Sequence, residues 1–270
     1  MLAADGSVLA AVERKALGDI AELLVAPGTS PEALIAAARQ SPKSVRSVVL
    51  STLGQLAEAK DIPALVAMTA GAETDAFRDG AREALSVACA RLRPEARTAA
   101  AASLLEGLAG AGPKARGALL QAGSVLLDER LRGELRRALI DPDPGLRQAA
   151  GLALCEARDP ALSSDLLNYA KQAPDPARRV PAVRGYVRLV MDSENTNLTP
   201  AGRVKALEAV LPLARAEEKW AVLAGLAKLA DVEALTLALS MLDDAGTRAE
   251  AAQAATALAS ALAPSRREHA

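Results

Sequence analysis

The strongest constraint on the fold is a recurring basic position. Arg46, Arg78, Arg116, Arg147, Arg179, Lys219 and Arg248 follow one another at steps of 32, 38, 31, 32, 40 and 29 residues. Small or apolar residues stand three and seven places later. Arg46 is followed by Val49 and Leu53, Arg78 by Ala81 and Leu85, Arg147 by Ala150 and Leu154, and Arg179 by Ala182 and Tyr186. An imperfect period of this length is the sequence sign of a solenoid, in which each helical unit buries its apolar face only by stacking on its neighbours.

Composition agrees with close helix packing. Hydrophobic residues make up 51% of the 270, mainly Ala and Leu, and there are one Trp, one Phe and two Tyr. Ala has the best helix propensity and adds little width, so it suits closely approaching helices. No long run rich in Val, Ile, Thr and aromatics predicts a strand. The net charge of 32 − 33 = −1 argues against a general binder of nucleic acid or anionic membrane. Cys89 and Cys155 each lie within a helical pattern and read as buried thiols, which identify no redox compartment. No uncharged apolar stretch is long enough to span a membrane, and no basic-then-apolar leader marks a signal peptide.

Helix boundaries follow from caps and breakers. Residues 1–6 read as a flexible leader, 7–26 as an extra N-terminal helix, 7–262 as one α-solenoid domain and 263–270 as a frayed tail. Seven helix pairs are expected, each an outer helix followed by an inner one. The outer helices span about 31–40, 62–70, 94–108, 129–140, 161–171, 200–214 and 232–242. The inner helices span about 42–58, 75–91, 113–127, 144–157, 176–191, 217–229 and 245–262. Ser30-Pro31, Ser41-Pro42, Asp159-Pro160, Asp175-Pro176 and Thr199-Pro200 each place a capping oxygen before a Pro at the first helical position. Pro there loses only an N–H that would be unpaired anyway.

The segment 141–150 (DPDPGLRQAA), with Leu152, Leu154 and then Asp159-Pro160, resembles the HEAT-repeat family, in particular its short bacterial form named after phycobilisome-lyase HEAT-like repeats. Weaker copies are 41–46 (SPKSVR) and 173–179 (APDPARR). The resemblance implies an all-α, right-handed α-solenoid and says almost nothing about function. The last third, 217–223 (EEKWAVL) through 243–252 (DDAGTRAEAA), is similar to HEAT segments of multidomain bacterial proteins. Some of those sit beside exported sugar-processing or c-type haem domains. No residues here match a bilin-lyase active site.

Residues that define the repeat read as structural. Arg46, Arg147, Arg179 and the closing Asp159 are expected to hydrogen-bond between neighbouring turns and fix the stacking. Residues that break the repeat are the candidates for partner binding: Arg178, Arg184, Arg188, Asp192, Glu194 and Trp220. Arg184 and Arg188 lie together at i, i+4, beyond the apolar face of Val180, Val183, Val187 and Val190. The other units carry Ser51, Glu83, Gln121, Leu152, Ala224 and Gln253 in register with Arg184. In register with Arg188 they carry Gln55, Val87, Val125, Glu156, Lys228 and Ala257. This makes a local positive patch and no continuous basic stripe, so no duplex-tracking groove is expected. Asp192 to Thr199 is the longest polar interruption, and Trp220 opens an inner helix where an amphipathic ring can anchor a ligand or fill space.

No catalytic residue is assigned. The sole His, His269, stands in the tail, so Ser-His-Asp and Cys-His arrangements are implausible. No zinc-type spacing or phosphate-cradling Gly loop is present. The expected function is a non-catalytic scaffold that binds a protein or peptide on the concave surface, with no cofactor, no metal, no nucleic acid and no membrane span. The alternatives are an accessory module of a larger exported enzyme or c-type haem protein, and a lyase-like binder of a small molecule or chromophore. The sequence leaves the compartment open: cytoplasmic by default, exported if the chain belongs to a larger protein.

Overall fold

Several helices begin where a side-chain oxygen can take the first free backbone N–H groups. Thr74 accepts from the Phe77 N–H, Asp128 from Arg130 and Leu131, Asp143 from Leu146, Asp175 from Arg178, Thr199 from Gly202, and Asp231 from Glu233 and Ala234. The computed structural model describes residues 30–40, 43–173, 175–193, 195 and 197–267. The expected leader, the extra helix over 7–26 and His269 lie outside the described residues.

The described residues form fourteen α-helices and no strand. The chain divides into two compact units, Met1–Ala153 and Leu154–Ala270. In the first unit the helices are α1 (Pro31–Gln40), α2 (Lys43–Leu56), α3 (Ile62–Ala70), α4 (Asp75–Arg91), α5 (Pro94–Ala109), α6 (Pro113–Gly123) and α7 (Glu129–Leu139), with the start of α8 (Pro144–Glu156). Each of the first three odd helices packs on the even helix after it. Even helices also pack on even (α2 on α4, α4 on α6) and odd on odd (α3 on α5, α5 on α7). That two-layer stacking of hairpins is the solenoid pattern read from the sequence.

The second unit holds the end of α8 with α9 (Ser163–Gln172), α10 (Pro176–Met191), α11 (Pro200–Val210), α12 (Ala216–Leu226), α13 (Val232–Ser240) and α14 (Arg248–Arg267). Here α10 packs on α12 and α12 on α14 in the even layer, and α11 on α13 in the odd layer. Expected helix boundaries differ most in four places. The chain turns after Gly123, after Leu226 and after Val210, the last into a 3₁₀ turn over Leu211–Leu213. α14 starts at Arg248, after the Asp244 turn, and runs on to Arg267.

Small residues set the distance between even helices. A Cβ on Gly54 of α2 would stand 2.9 Å from the Ala84 Cα of α4, and one on Gly185 of α10 would stand 2.7 Å from the Cys155 carbonyl oxygen. Real Cβ atoms do not come so near a backbone, so these glycines allow the helices to touch. The core between the layers is aliphatic, with Leu53, Leu85, Leu104, Leu119, Leu189 and Leu207 fully buried. A chain with so few aromatic rings therefore fills its interior by close approach of Ala and Leu surfaces.

The recurring basic residues have a defined local role. Arg78 donates to the Ala72 carbonyl at 2.5 Å, Arg147 to Asp141 at 2.6 Å, and Arg248 to Leu242 at 3.0 Å. In each case the acceptor lies six residues earlier, in the turn that enters the same helix. These bonds close each Arg's own hairpin turn, whereas the sequence reading placed them between neighbouring turns of the stack. Arg46 instead lies over the Phe77 ring of the next even helix, 4.8 Å from its centre. Asp159 is buried and caps the turn before α9 by accepting from the Ala161 N–H at 3.0 Å. Arg179 is half-buried beside Asp175, whose carbonyl accepts its backbone N–H at 3.1 Å. Neighbouring repeats are tied by other residues. Arg91 of α4 donates to the Gly54 carbonyl of α2 at 3.4 Å, and Lys219 of α12 pairs with Asp244 at 2.7 Å.

Candidate functional site

The exposed face of the even helices in the C-terminal unit gathers several of the residues that break the repeat. On α10 this face presents Arg184 and Arg188, on α12 Trp220 and Ala224, with Lys228 in the turn after it, and on α14 Gln253 and Ala257. The registers carried by Arg184 and Arg188 therefore define one surface. Between α12 and α14 this surface sinks into a groove of about 220 Å³, floored by Leu223, Ala227 and Ala254 and flanked by Trp220, Glu250 and Gln253. Alanines at 224, 227, 254 and 257 keep it open, because longer side chains there would fill it. Trp220 is 41% exposed, and its indole N–H donates to the Gly246 carbonyl at 3.0 Å. That bond fixes the ring at the groove edge while a large part of its apolar surface meets water.

Two residues before Trp220, and so facing a different side of α12, stands a buried acid. Glu218 is only 1% exposed, yet it carries a carboxylate. Arg184 reaches over from α10 with Nε at 3.1 Å and Nη2 at 2.9 Å from Glu218 Oε1. Arg215 approaches the other oxygen, Oε2, at 3.4 Å. The side chains of Arg184 and Arg215 remain 59% and 57% exposed. One buried anion thus holds two half-exposed cations at the surface.

Arg188 is placed differently. Its Nη2 donates to the Cys155 and Ala157 carbonyls at 2.9 and 2.7 Å, at the C-terminal end of α8. Burial, then the nearby charge of Arg158, lower its pKa, while Cys155, Glu156 and Asp192 act in the opposite direction. It ties α10 to the chain leaving α8 through Nη2. Arg178 stands at the start of α10, 52% exposed and 3.7 Å from Asp175. Asp192 is the residue at which α10 ends. Glu194 lies outside the described residues. The structure thus brings Arg184 and Trp220 onto neighbouring helices, through Glu218, and leaves Arg178 at the far end of α10.

Sequence reasoning missed Glu218, Arg215 and the groove alanines. The register that holds Arg184 already contained Ala224 and Gln253, and that of Arg188 contained Ala257, so the groove was legible as a common face. Glu218 was not, since an acidic residue in a first helical turn reads as a solvated complement to the helix dipole.

In the N-terminal unit a hollow of about 360 Å³ is bounded by Arg39, Arg46, Met68, Gly71, Glu73 and Phe77. Its Arg46 guanidinium already rests on the Phe77 ring. Among the described residues no group of three or more His, Cys, Asp or Glu side chains gathers as a metal site. No helix among them is long and apolar enough to cross a membrane. The Cys89 and Cys155 thiols are buried, and burial pushes them up to about 12 and about 11, with Glu156 adding to the rise at Cys155 and Arg188 opposing it. Thiols held in this neutral form are poor nucleophiles.

Fold and surface together define an all-α helical-repeat chain with an open, mixed polar and apolar face. No protein-family model matches the chain, and no curated protein matches it in sequence. Among solved structures it is similar to an archaeal HEAT-like repeats protein from Thermococcus onnurineus NA1, with 15% identity over 88% of this chain and 100% of that one, at a TM-score of 0.45.

Proposed function

We propose that this chain is a non-catalytic HEAT-like scaffold that binds a protein or peptide on the even-helix face of its C-terminal unit. One observation carries the reading: an exposed Trp220, fixed by its own N–H, borders an open groove floored by Leu223, Ala227 and Ala254. Large exposed aromatic surface beside a shallow apolar groove fits a binding anchor, because Trp gives much contact area at small cost in rotamer freedom. Helices on either side hold the groove in place before any partner arrives, so little ordering is lost on binding. The short phycobilisome-lyase form of the repeat remains part of the proposal, supported by the 141–150 segment and the Asp143 and Asp159 caps.

The test is capture of partners from native lysate by the wild-type chain and by Ala224→Arg, which fills the groove from an exposed position. A protein retained by wild type and by a Val232→Arg control on α13, but lost with Ala224→Arg, supports the reading. Equal retention by all three contradicts it.

A further inference from the structure

The proposal above leaves the partner's chemistry open, and the charge arrangement at the start of α12 narrows it. Resting on that reading of the groove, we propose that Arg184 and Arg215, held on Glu218, form a receptor for one carboxylate of a partner peptide, with an adjoining apolar side chain of the same peptide seated against Trp220.

Four observations carry this. First, the two guanidiniums share a single carboxylate, so the cluster keeps one uncompensated positive charge at the surface. Second, Glu218 is itself 99% buried and so is a fixed post, not a mobile counter-ion. Third, Arg184 spends its Nε edge on Glu218 Oε1. A guanidinium has five N–H groups, so the Nη1 side stays available for a second carboxylate. Fourth, exposed Arg215 directly precedes α12 and exposed Trp220 is the fifth residue of that helix, so about 7–8 Å of helix axis separates the cation from the ring.

The surroundings favour a single carboxylate over a polyanion. Glu217 is exposed on the same helix turn, and Glu250 flanks the groove on α14. A phosphate backbone crossing this face would meet those acids, whereas one Asp or Glu side chain next to a Leu, Met or aromatic residue would not. The pre-positioned arginines lose little rotamer freedom on binding, and a charge-assisted pair is among the stronger polar contacts.

The chain contains one Trp, so its emission reports the groove directly. The full chain is probed with an array of short, end-capped peptides, each holding one Glu among apolar and neutral residues in every order. A matched array carries Gln for Glu, and an oligo-dT strand serves as the polyanion probe. Glu peptides are expected to bind and shift Trp220 emission saturably, with the Gln counterparts about tenfold weaker, the scale of one hydrogen-bonded charge. The Glu preference is expected to vanish in Arg215→Ala, which leaves the Arg184–Glu218 pair in place, and in Arg184→Gln/Glu218→Gln, which removes both charges. Circular dichroism of each variant checks that it is folded. Equal binding of Glu and Gln peptides overturns the carboxylate receptor and leaves the groove reading standing. A larger emission change with oligo-dT than with any peptide overturns it in favour of a polyanion site. Silence of both arrays overturns the receptor and the groove reading together.

Discussion

Glu218 of α12 is buried to 1% exposure and is held by Arg184 of α10 through two hydrogen bonds of 2.9 and 3.1 Å. An ion pair of this kind adds little net stability, but breaking it leaves a charge stranded in the interior. Arg184→Ala is expected to cost about 1–3 kcal/mol, because Arg215 alone remains on the carboxylate. The double variant Arg184→Ala/Glu218→Ala is expected to cost less than the two single changes added together, by about 1 kcal/mol or more. Urea denaturation of the four proteins gives the coupling, and additive costs would show that the pair is not linked.

Gly185 is required by contact, not by conformation. An added Cβ would lie 2.7 Å from the Cys155 carbonyl oxygen, a backbone atom that cannot swing aside. Gly185→Ala is expected to destabilise by about 1–3 kcal/mol through overpacking. The comparison is Gly110→Ala, where nothing lies within 4 Å of the added carbon. It is expected to be neutral or stabilising by about 0.5 kcal/mol. Thermal midpoints of the two variants should move in opposite directions or differ widely.

The helix starts give a third test. Asp231 accepts from the Glu233 and Ala234 N–H groups at 2.7 and 3.3 Å at the start of α13. Asp231→Ala is expected to cost about 1 kcal/mol, and Asp231→Asn to recover most of that. The neighbouring Ala230 has a positive φ of 45°, where a Cβ crowds the following carbonyl. Ala230→Gly is therefore expected to raise stability by about 1 kcal/mol. If both changes lowered the midpoint, the conformation of this turn would be wrong.

Much of this fold was open to sequence reasoning, because period, cap and composition agree. Asp175-Pro176 and Thr199-Pro200 each mark a helix start that is observed, and the same grammar sets the order of hairpins. The Arg of each inner helix was legible as a shared position, but its partner was not. A period of this kind says that a position is shared by every unit, and it does not say which carbonyl lies nearest. Arg188 shows the limit most clearly. Its place beyond the apolar arc made it look free of the stack, yet its Nη2 donates to the Cys155 and Ala157 carbonyls. Those acceptors come from a segment about thirty residues earlier, a distance that helical periodicity on one element does not see.

Burial of the thiols gives a pH dependence with a defined sign. Cys89 and Cys155 are raised from 9.0 to about 12 and about 11 in the folded chain. Below about pH 8 both states keep the proton and the thiols contribute almost no slope. As the pH rises from 9 toward 11–12, the unfolded chain loses these protons first, so stability falls. The slope is at most about 1.4 kcal/mol per pH unit for each thiol. Urea midpoints measured across that window should fall less steeply in Cys89→Ala/Cys155→Ala than in wild type.

The claim that partners dock on the even-helix face of the C-terminal unit is tested most directly by site-specific photo-crosslinking. A photoreactive residue is placed at Ala224, in the groove between α12 and α14, and separately at Val232, 57% exposed on α13 of the other layer. Irradiation in native lysate is expected to give a discrete covalent adduct from position 224, lost when Trp220 is changed to Ala, and none of the same mass from position 232. An adduct of that mass from 232 alone, or equally from both positions, would contradict the placement of the site.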